Sequence, residues 1–288
     1  MAKGRELKGR IKSTENTRKI TRTMEMVATS KLKRATDRVV AARPFATAIA
    51  ETIANLYAPG LAERFPLLRQ PTAVRRAAVL ALTSNRGLAG AFNANLIKEA
   101  RNTVARLERE GAEVDLHVVG RKGVGFFRYV GRALATQRTD LGDRPGAEEA
   151  TSLVTALMEG FVGGRLDAVY VVASRFNSVL STPPTTEQIL PVRPPETKPG
   201  AARRDYLLFP SAEELLTQLL PAYVRNAVYR ALVETAAAEQ AARRTAMKNA
   251  TDNASELLTV YRRNYNRARQ AQITQEIAEI VGGAAALE

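Results

Sequence analysis

Two glycine-rich segments are where this chain could hold a phosphate. "TSNRGLAGAFN" (83–93) follows a strand-like run and opens a helix, a position at which backbone N–H groups can cradle an anion. It lacks the Gly-Lys-Ser/Thr ending that gives a P-loop its lysine and its metal-binding hydroxyl. "GRKGVGFF" (120–127) places glycines at 120, 123 and 125, an order that does not match the dinucleotide fingerprint. Both are expected to be tight strand-to-helix turns. The single histidine, His117, lies in the strand-like "VDLHVVG", so neither a Ser/His/Asp set nor a histidine metal cluster emerges. There is no cysteine, which excludes disulfides, thiolate metal sites and thiol switching. The acidic pairs Glu148/Glu149 and Glu213/Glu214 sit where helices open, and the helix dipole favours them there. No catalytic residue, cofactor or metal is expected.

What remains is charge, and it is uneven. The chain of 288 residues carries a net charge of +14. Residues 1–40 hold twelve Lys/Arg against four acids, more than half of that excess. Such a field points to an acidic partner: nucleic acid, a membrane surface or an acidic protein. No apolar run approaches the ~20 residues of a membrane span. The basic N-terminus lacks the apolar stretch of a secretory signal. The chain is therefore expected to be intracellular, or attached to something that is itself membrane-bound.

Long helices must position this charge. A heptad register through Leu7, Ile11, Thr14, Arg18, Thr21, Glu25, Ala28, Leu32, Ala35, Val39, Ala42, Ala46, Ile49, Ile53 and Leu56 is apolar except between 14 and 25. Pro44 should bend this helix rather than end it. Ser211, with Glu214 three residues on, looks like an N-cap, and helical pattern then runs to the end of the chain. Pro221 predicts a kink or a restart in it. Between these ends, runs at 74–84, 112–120, 132–140 and 167–176 have strand character. They alternate with helical segments at 91–110, 122–130 and 147–163, the pattern of a parallel α/β sheet with crossover helices. The proline-rich "STPPTTEQILPVRPPETKPG" (181–200) suggests an edge strand and loop.

The expected architecture is α/β plus a long antiparallel coiled coil: an N-terminal stalk helix (1–58), a central Rossmann-like parallel-sheet domain (72–205) and a C-terminal stalk helix (211–288). The longer last helix should project beyond the first residue by roughly 20 Å, at ~1.5 Å per residue. Within the basic helix, "ITRTMEMVATSKLKRA" (20–35) puts Ile20, Met24, Val27 and Ala28 on one side, available to a partner. Met26 falls opposite, among Arg22, Thr29 and Lys33. A basic coiled-coil nucleic-acid binder and a protein-binding stalk are both compatible with these features, although no aromatic stacking groups accompany the charge.

"ENTRKITRTMEMVATSKLKRA" (15–35) and "YNRARQAQITQEIAEIVGGAAAL" (265–287) resemble the two signature ends of the gamma subunits of F-type ATP synthase, the rotor shaft. "TSNRGLAGAFNANL" (83–96), "GRKGVGFF" (120–127) and "EQAARRTAMKNATDNA" (239–254) resemble the central domain and lower shaft of the same family. The likeness covers essentially the whole chain. It implies a non-catalytic, proton-coupled rotor. The partners implied are alpha and beta subunits, three of each, an epsilon subunit and a ring of membrane c subunits. The implied location is peripheral, on the cytoplasmic face of a bacterial cell membrane, with no nucleotide or nucleic acid bound by this chain. Residue by residue, it implies that Met24, Met26, Lys33, Arg34, Gln270, Thr274 and Glu276 meet beta subunits. Ile280, Val281, Ala284 and Leu287 would turn in an apical bearing. Asn85 stands where the family commonly has Asp, Ala89 where many members have Cys, and Pro221 where most have an ordinary helix former. The cysteine-containing regulatory insertion of chloroplast members is missing.

Overall fold

The buried strand β1 (Arg76–Leu82) organises the α/β part of the structure, a computed structural model that describes residues 2–56, 64–193 and 211–285. Six of its seven residues are buried, so both of its faces are covered. Around it stand β2 (Glu113–Val119), β3 (Thr136–Arg138), β4 (Ala168–Ser174) and β5 (Pro184–Leu190), in the order β3-β2-β1-β4-β5. The first four are mutually parallel, while β5 runs antiparallel along β4 and closes one edge. This edge position tolerates the prolines, whose missing N–H would break an interior ladder.

Side-chain alternation along β1 divides the core in two. Ala77, Val79 and Ala81 face α2 (Phe92–Arg109) and α3 (Arg121–Tyr129). Ala78, Leu80 and Leu82 face the opposite way, into a cluster with Val154 and Phe161 of α4 (Ala147–Val162). The same cluster takes Ile49 and Ile53 from α1 (Ala2–Leu56) and Leu216, Leu220, Val224 and Val228 from α5 (Ala212–Ala285). The strand at 132–140 contracts to the three residues of β3.

Local signals account for the helix starts. Ser211 Oγ accepts the Glu214 N–H at 3.2 Å, the cap expected from sequence. Gly146 N–H donates to Glu149 Oε2 at 2.9 Å at the start of α4. Pro44 lies inside α1 without ending it. Of the kink or restart expected at Pro221, the restart does not occur: α5 continues through it. Leu216, Leu220, Val224 and Val228 on either side are all buried. That packing offsets the ~3 kcal/mol a proline costs inside a helix.

The chain divides into two compact units: residues 30–242, which contain the sheet, and a helical pair made of 1–29 with 243–288. In the helical pair, Thr251 Oγ1 donates to Thr21 Oγ1 at 2.8 Å and Arg262 pairs with Glu15 at 2.5 Å. These two contacts fix the pair as antiparallel. They also explain the polar stretch of the seam between 14 and 25, where hydrogen bonds replace knobs of hydrocarbon. Ala28, Met247, Ala254 and Leu258 are its buried apolar members. From Ile273 to Gly282 all α5 side chains are exposed.

His117, on β2, lies with Nδ1 2.8 Å from Thr136 Oγ1. Burial pushes its pKa below the ordinary 6.5, with Asp115 opposing. An unfolded chain then takes up this proton at higher pH than the folded one. Stability should therefore fall as pH drops from about 6.5 towards the lower folded value, and should not depend on this group above 6.5. An NMR titration should place the His117 midpoint below 6.5; a midpoint above it would mean that Asp115 outweighs burial.

Candidate functional site

The two glycine turns meet at the carboxyl ends of β1 and β2, where an open α/β sheet usually takes its ligand. Here they bind each other. Thr83 Oγ1 donates to the Val119 carbonyl at 2.7 Å and accepts the Gly123 N–H at 3.0 Å. Asn85 accepts the Arg121 N–H through Oδ1 at 3.0 Å and donates through Nδ2 to the Leu141 carbonyl at 2.7 Å. A carboxylate at this position could make the first bond but not the second, which gives Asn85 a structural reason of its own. The remaining cavity is about 50 Å³, and Leu232, Thr235, Ala236 and Glu239 of α5 line it. Pockets for nucleotide-sized ligands run to ~300 Å³ and above. The crevice is filled by the protein's own last helix.

The exposed chemistry lies on the terminal helices. Met26 is 60 % exposed, as the helical spacing predicts. The side of Ile20, Met24, Val27 and Ala28 departs from a simple wheel. Ala28 is buried and Met24 half-buried, yet Ile20 and Val27 are 60 % and 50 % exposed. The heptad register explains this, since Thr21, Glu25 and Ala28 are the seam positions and Ile20 and Val27 flank them. That side is therefore covered at Ala28 and open at Ile20 and Val27.

On α5, Gln270, Thr274 and Glu276 are exposed. Thr274 Oγ1 donates to the Gln270 carbonyl at 3.0 Å, and Gln272 Nε2 donates to Glu276 Oε1 at 2.8 Å. Ile273, Ile277, Ile280 and Val281 form an exposed apolar stripe at i, i+4, i+7 and i+8. Ala284 lies within the helix, and Leu287 lies outside the described residues. Lys33 and Arg34 belong to the sheet-containing unit and are exposed there. Sequence reading missed Ile20 and Val27 as exposed surface, although their off-seam heptad positions carried the signal.

Among the described residues no group of three or more His, Cys, Asp or Glu could hold a metal ion. Among the same described residues, no helix is long and apolar enough to cross a membrane.

The sheet-containing unit has its strand-end crevice closed by α5, and the helical unit carries exposed apolar side chains at Ile20, Val27, Ile273, Ile277, Ile280 and Val281. The family model described as ATP synthase matches residues 3–287. The ATP synthase gamma chain of Gemmatimonas aurantiaca is 67 % identical over the full length of both chains. That of Leptospira biflexa is 41 % identical, again over both full lengths. The chain belongs to the family of gamma chains of F-type ATP synthase.

Solved structures agree on the fold. A chain of the Euglena gracilis mitochondrial ATP synthase OSCP/F1/c-ring assembly matches with a TM-score of 0.69 at 19 % identity, covering 99 % of this chain and 95 % of that one. A chain of the Tetrahymena thermophila central stalk and c-ring matches with a TM-score of 0.60 at 24 % identity, covering 80 % of this chain and 99 % of that one. Nothing in these matches supports a nucleic-acid-binding protein.

Proposed function

We propose that this chain is the non-catalytic rotor of its ATP synthase, transmitting proton-driven rotation to nucleotide sites on beta subunits. Its partners are then alpha and beta subunits, epsilon and the membrane c-ring, with attachment to the cytoplasmic face of the membrane through the complex. The stalk helices (1–58 and 211–288) and the α/β domain (72–205) are the functional divisions in this reading.

The observation that carries it is the uncovered end of α5. From Ile273 to Gly282 every residue of α5 is exposed, with no covering element among the described residues. Isolated helices of about this length are marginal in water, so a surrounding sleeve is the natural source of their stability. Ile280, Val281, Ala284 and Leu287 would offer such a sleeve small or apolar groups with no charge to desolvate. Met24 and Met26 supply polarizable, adaptable contacts that can repack as successive beta subunits pass. Lys33 and Arg34 suit acidic beta loops, while Gln270, Thr274 and Glu276 offer hydrogen bonds that form and break with angle.

The purified chain should neither bind nor hydrolyse ATP, and it should co-purify in fixed stoichiometry with nucleotide-binding subunits at high salt. Micromolar ATP binding by calorimetry would contradict the non-catalytic assignment. A salt-steep affinity for DNA in place of the complex would contradict the rotor assignment.

A further inference from the structure

Where α5 passes the carboxyl end of β4 it is rich in alanine. Ala237, Ala238 and Ala241 are buried there. Just before them, a cavity of about 360 Å³ opens between Ala227 and Ala231 of α5 and Thr185 and Ile189 of β5. Apolar burial holds a helix down but is non-directional, so a face of methyl groups resists rolling or sliding only weakly. A hydrogen bond is different, because it weakens steeply as its distance and angle change.

Two such bonds run from this stretch of α5 into the backbone that leaves β4. Thr235 Oγ1 accepts the Ser174 N–H at 3.2 Å, and Glu234 Oε2 accepts the Phe176 N–H at 3.1 Å. The strand explains why these donors need partners. β4 is paired with β1 only as far as Val172, and with β5 as far as Ser174. Arg175 N–H still reaches the Pro183 carbonyl on the β5 side. Successive N–H groups of an extended chain face opposite ways, so those of Ser174 and Phe176 face the side where β1 has ended. Left unmatched in the interior they would be costly, and α5 supplies the acceptors. Ser174 and Thr235 are only 1 % and 7 % exposed, which leaves little room for water to substitute. One turn earlier, Arg230 pairs with Glu187 of β5 at 3.0 Å.

We propose that Glu234 and Thr235 are positioning residues that lock α5 against rolling on the end of β4, and so pass torque between α5 and the sheet. The inference rests on the rotor reading. Without the two acceptors, α5 keeps its apolar packing but turns more freely against the sheet under load.

The test is the torsional stiffness of the assembled complex. Tyr129→Cys, exposed on α3 in the sheet-containing unit, carries a bead, and cognate alpha and beta subunits are fixed to a surface through beta. At low ATP, the angular variance of the bead is read in the pauses between steps. Glu234→Ala with Thr235→Val should roughly double that variance, because directional contacts are lost and non-directional packing remains. Glu234→Gln with Thr235→Ser keeps both acceptors and should restore the wild-type value. Thr103→Val controls for stability alone. It removes a buried hydroxyl 2.8 Å from Thr186 Oγ1, between α2 and β5, and should lower the melting temperature without changing the variance. If the double variant does not assemble, Glu234→Ala alone, at a half-buried side chain, should still widen the variance and then decides. Unchanged variance in the variants lacking acceptors, or an equal rise in Thr103→Val, would overturn the proposal while leaving rotation intact. A wild-type complex that hydrolyses ATP without stepping would remove the rotor reading, and the proposal with it.

Discussion

Gly120→Ala should destabilise the sheet-containing unit by about 3 kcal/mol or more, through left-handed strain and steric overlap together. Gly120 has φ +96°, and a Cβ built there would lie 2.2 Å from the Thr83 backbone oxygen. That oxygen cannot swing away like a side-chain tip, because Thr83 N–H is itself bonded to the Val119 carbonyl at 2.8 Å. Thermal unfolding of the full chain should fall by about 10 °C for a unit of this size. Gly125→Ala is the control. It lies in α3 with nothing within 4 Å of its Cβ position, so alanine there should be neutral or mildly stabilising. Indistinguishable unfolding of Gly120→Ala and wild type would remove the account of "GRKGVGFF" as a close-approach turn.

That turn marks how far the sequence could be read. Its glycine spacing excluded a dinucleotide loop and suggested a tight strand-to-helix junction, which residues 120–123 form. The closing of the crevice by Leu232, Thr235, Ala236 and Glu239 was not legible, because it joins residues about 150 positions apart. Similarly, the heptad register of α1 was visible as a pattern. The pairing of Thr21 with Thr251 across 230 residues was not. That α5 runs on through Pro221 without a restart was not legible for the same reason: helix-breaking is a local property, and the buried leucines and valines around it act through tertiary packing. In the basic helix, a 100° wheel grouped Ile20 and Val27 with Ala28, whereas the pair follows the heptad seam. The bonds of Thr235 to Ser174 and of Glu234 to Phe176 span 61 and 58 positions, so the sequence offered the acceptors but not the strand end they reach.

Met24→Lys should slow coupled turnover about tenfold while leaving assembly nearly intact. Met24 is half-buried on α1, and a lysine there can extend its ammonium group outward to water. In the rotor reading an acidic beta loop passes this position. A new ion pair partly shielded from water can exceed the ~1 kcal/mol of an exposed one. If it forms at one rotor angle and not at others, it deepens that resting state, and each ~1.4 kcal/mol added to the barrier for leaving costs a factor of ten in rate. Met24→Leu keeps volume and apolarity and should be nearly silent. Steady-state ATP synthesis in reconstituted vesicles distinguishes the two substitutions. Equal rates for Lys and Leu would mean that charge at this position does not matter.

The central claim is that this chain turns while its partners do the chemistry. Because the chain has no cysteine, Tyr129→Cys, at a side chain 90 % exposed on α3, provides a single thiol for a bead. With cognate alpha and beta subunits fixed to a surface through beta, single-molecule imaging should record unidirectional stepping of the bead on addition of ATP. A bead that stays stationary while the same complexes hydrolyse ATP at full rate would contradict the rotor account.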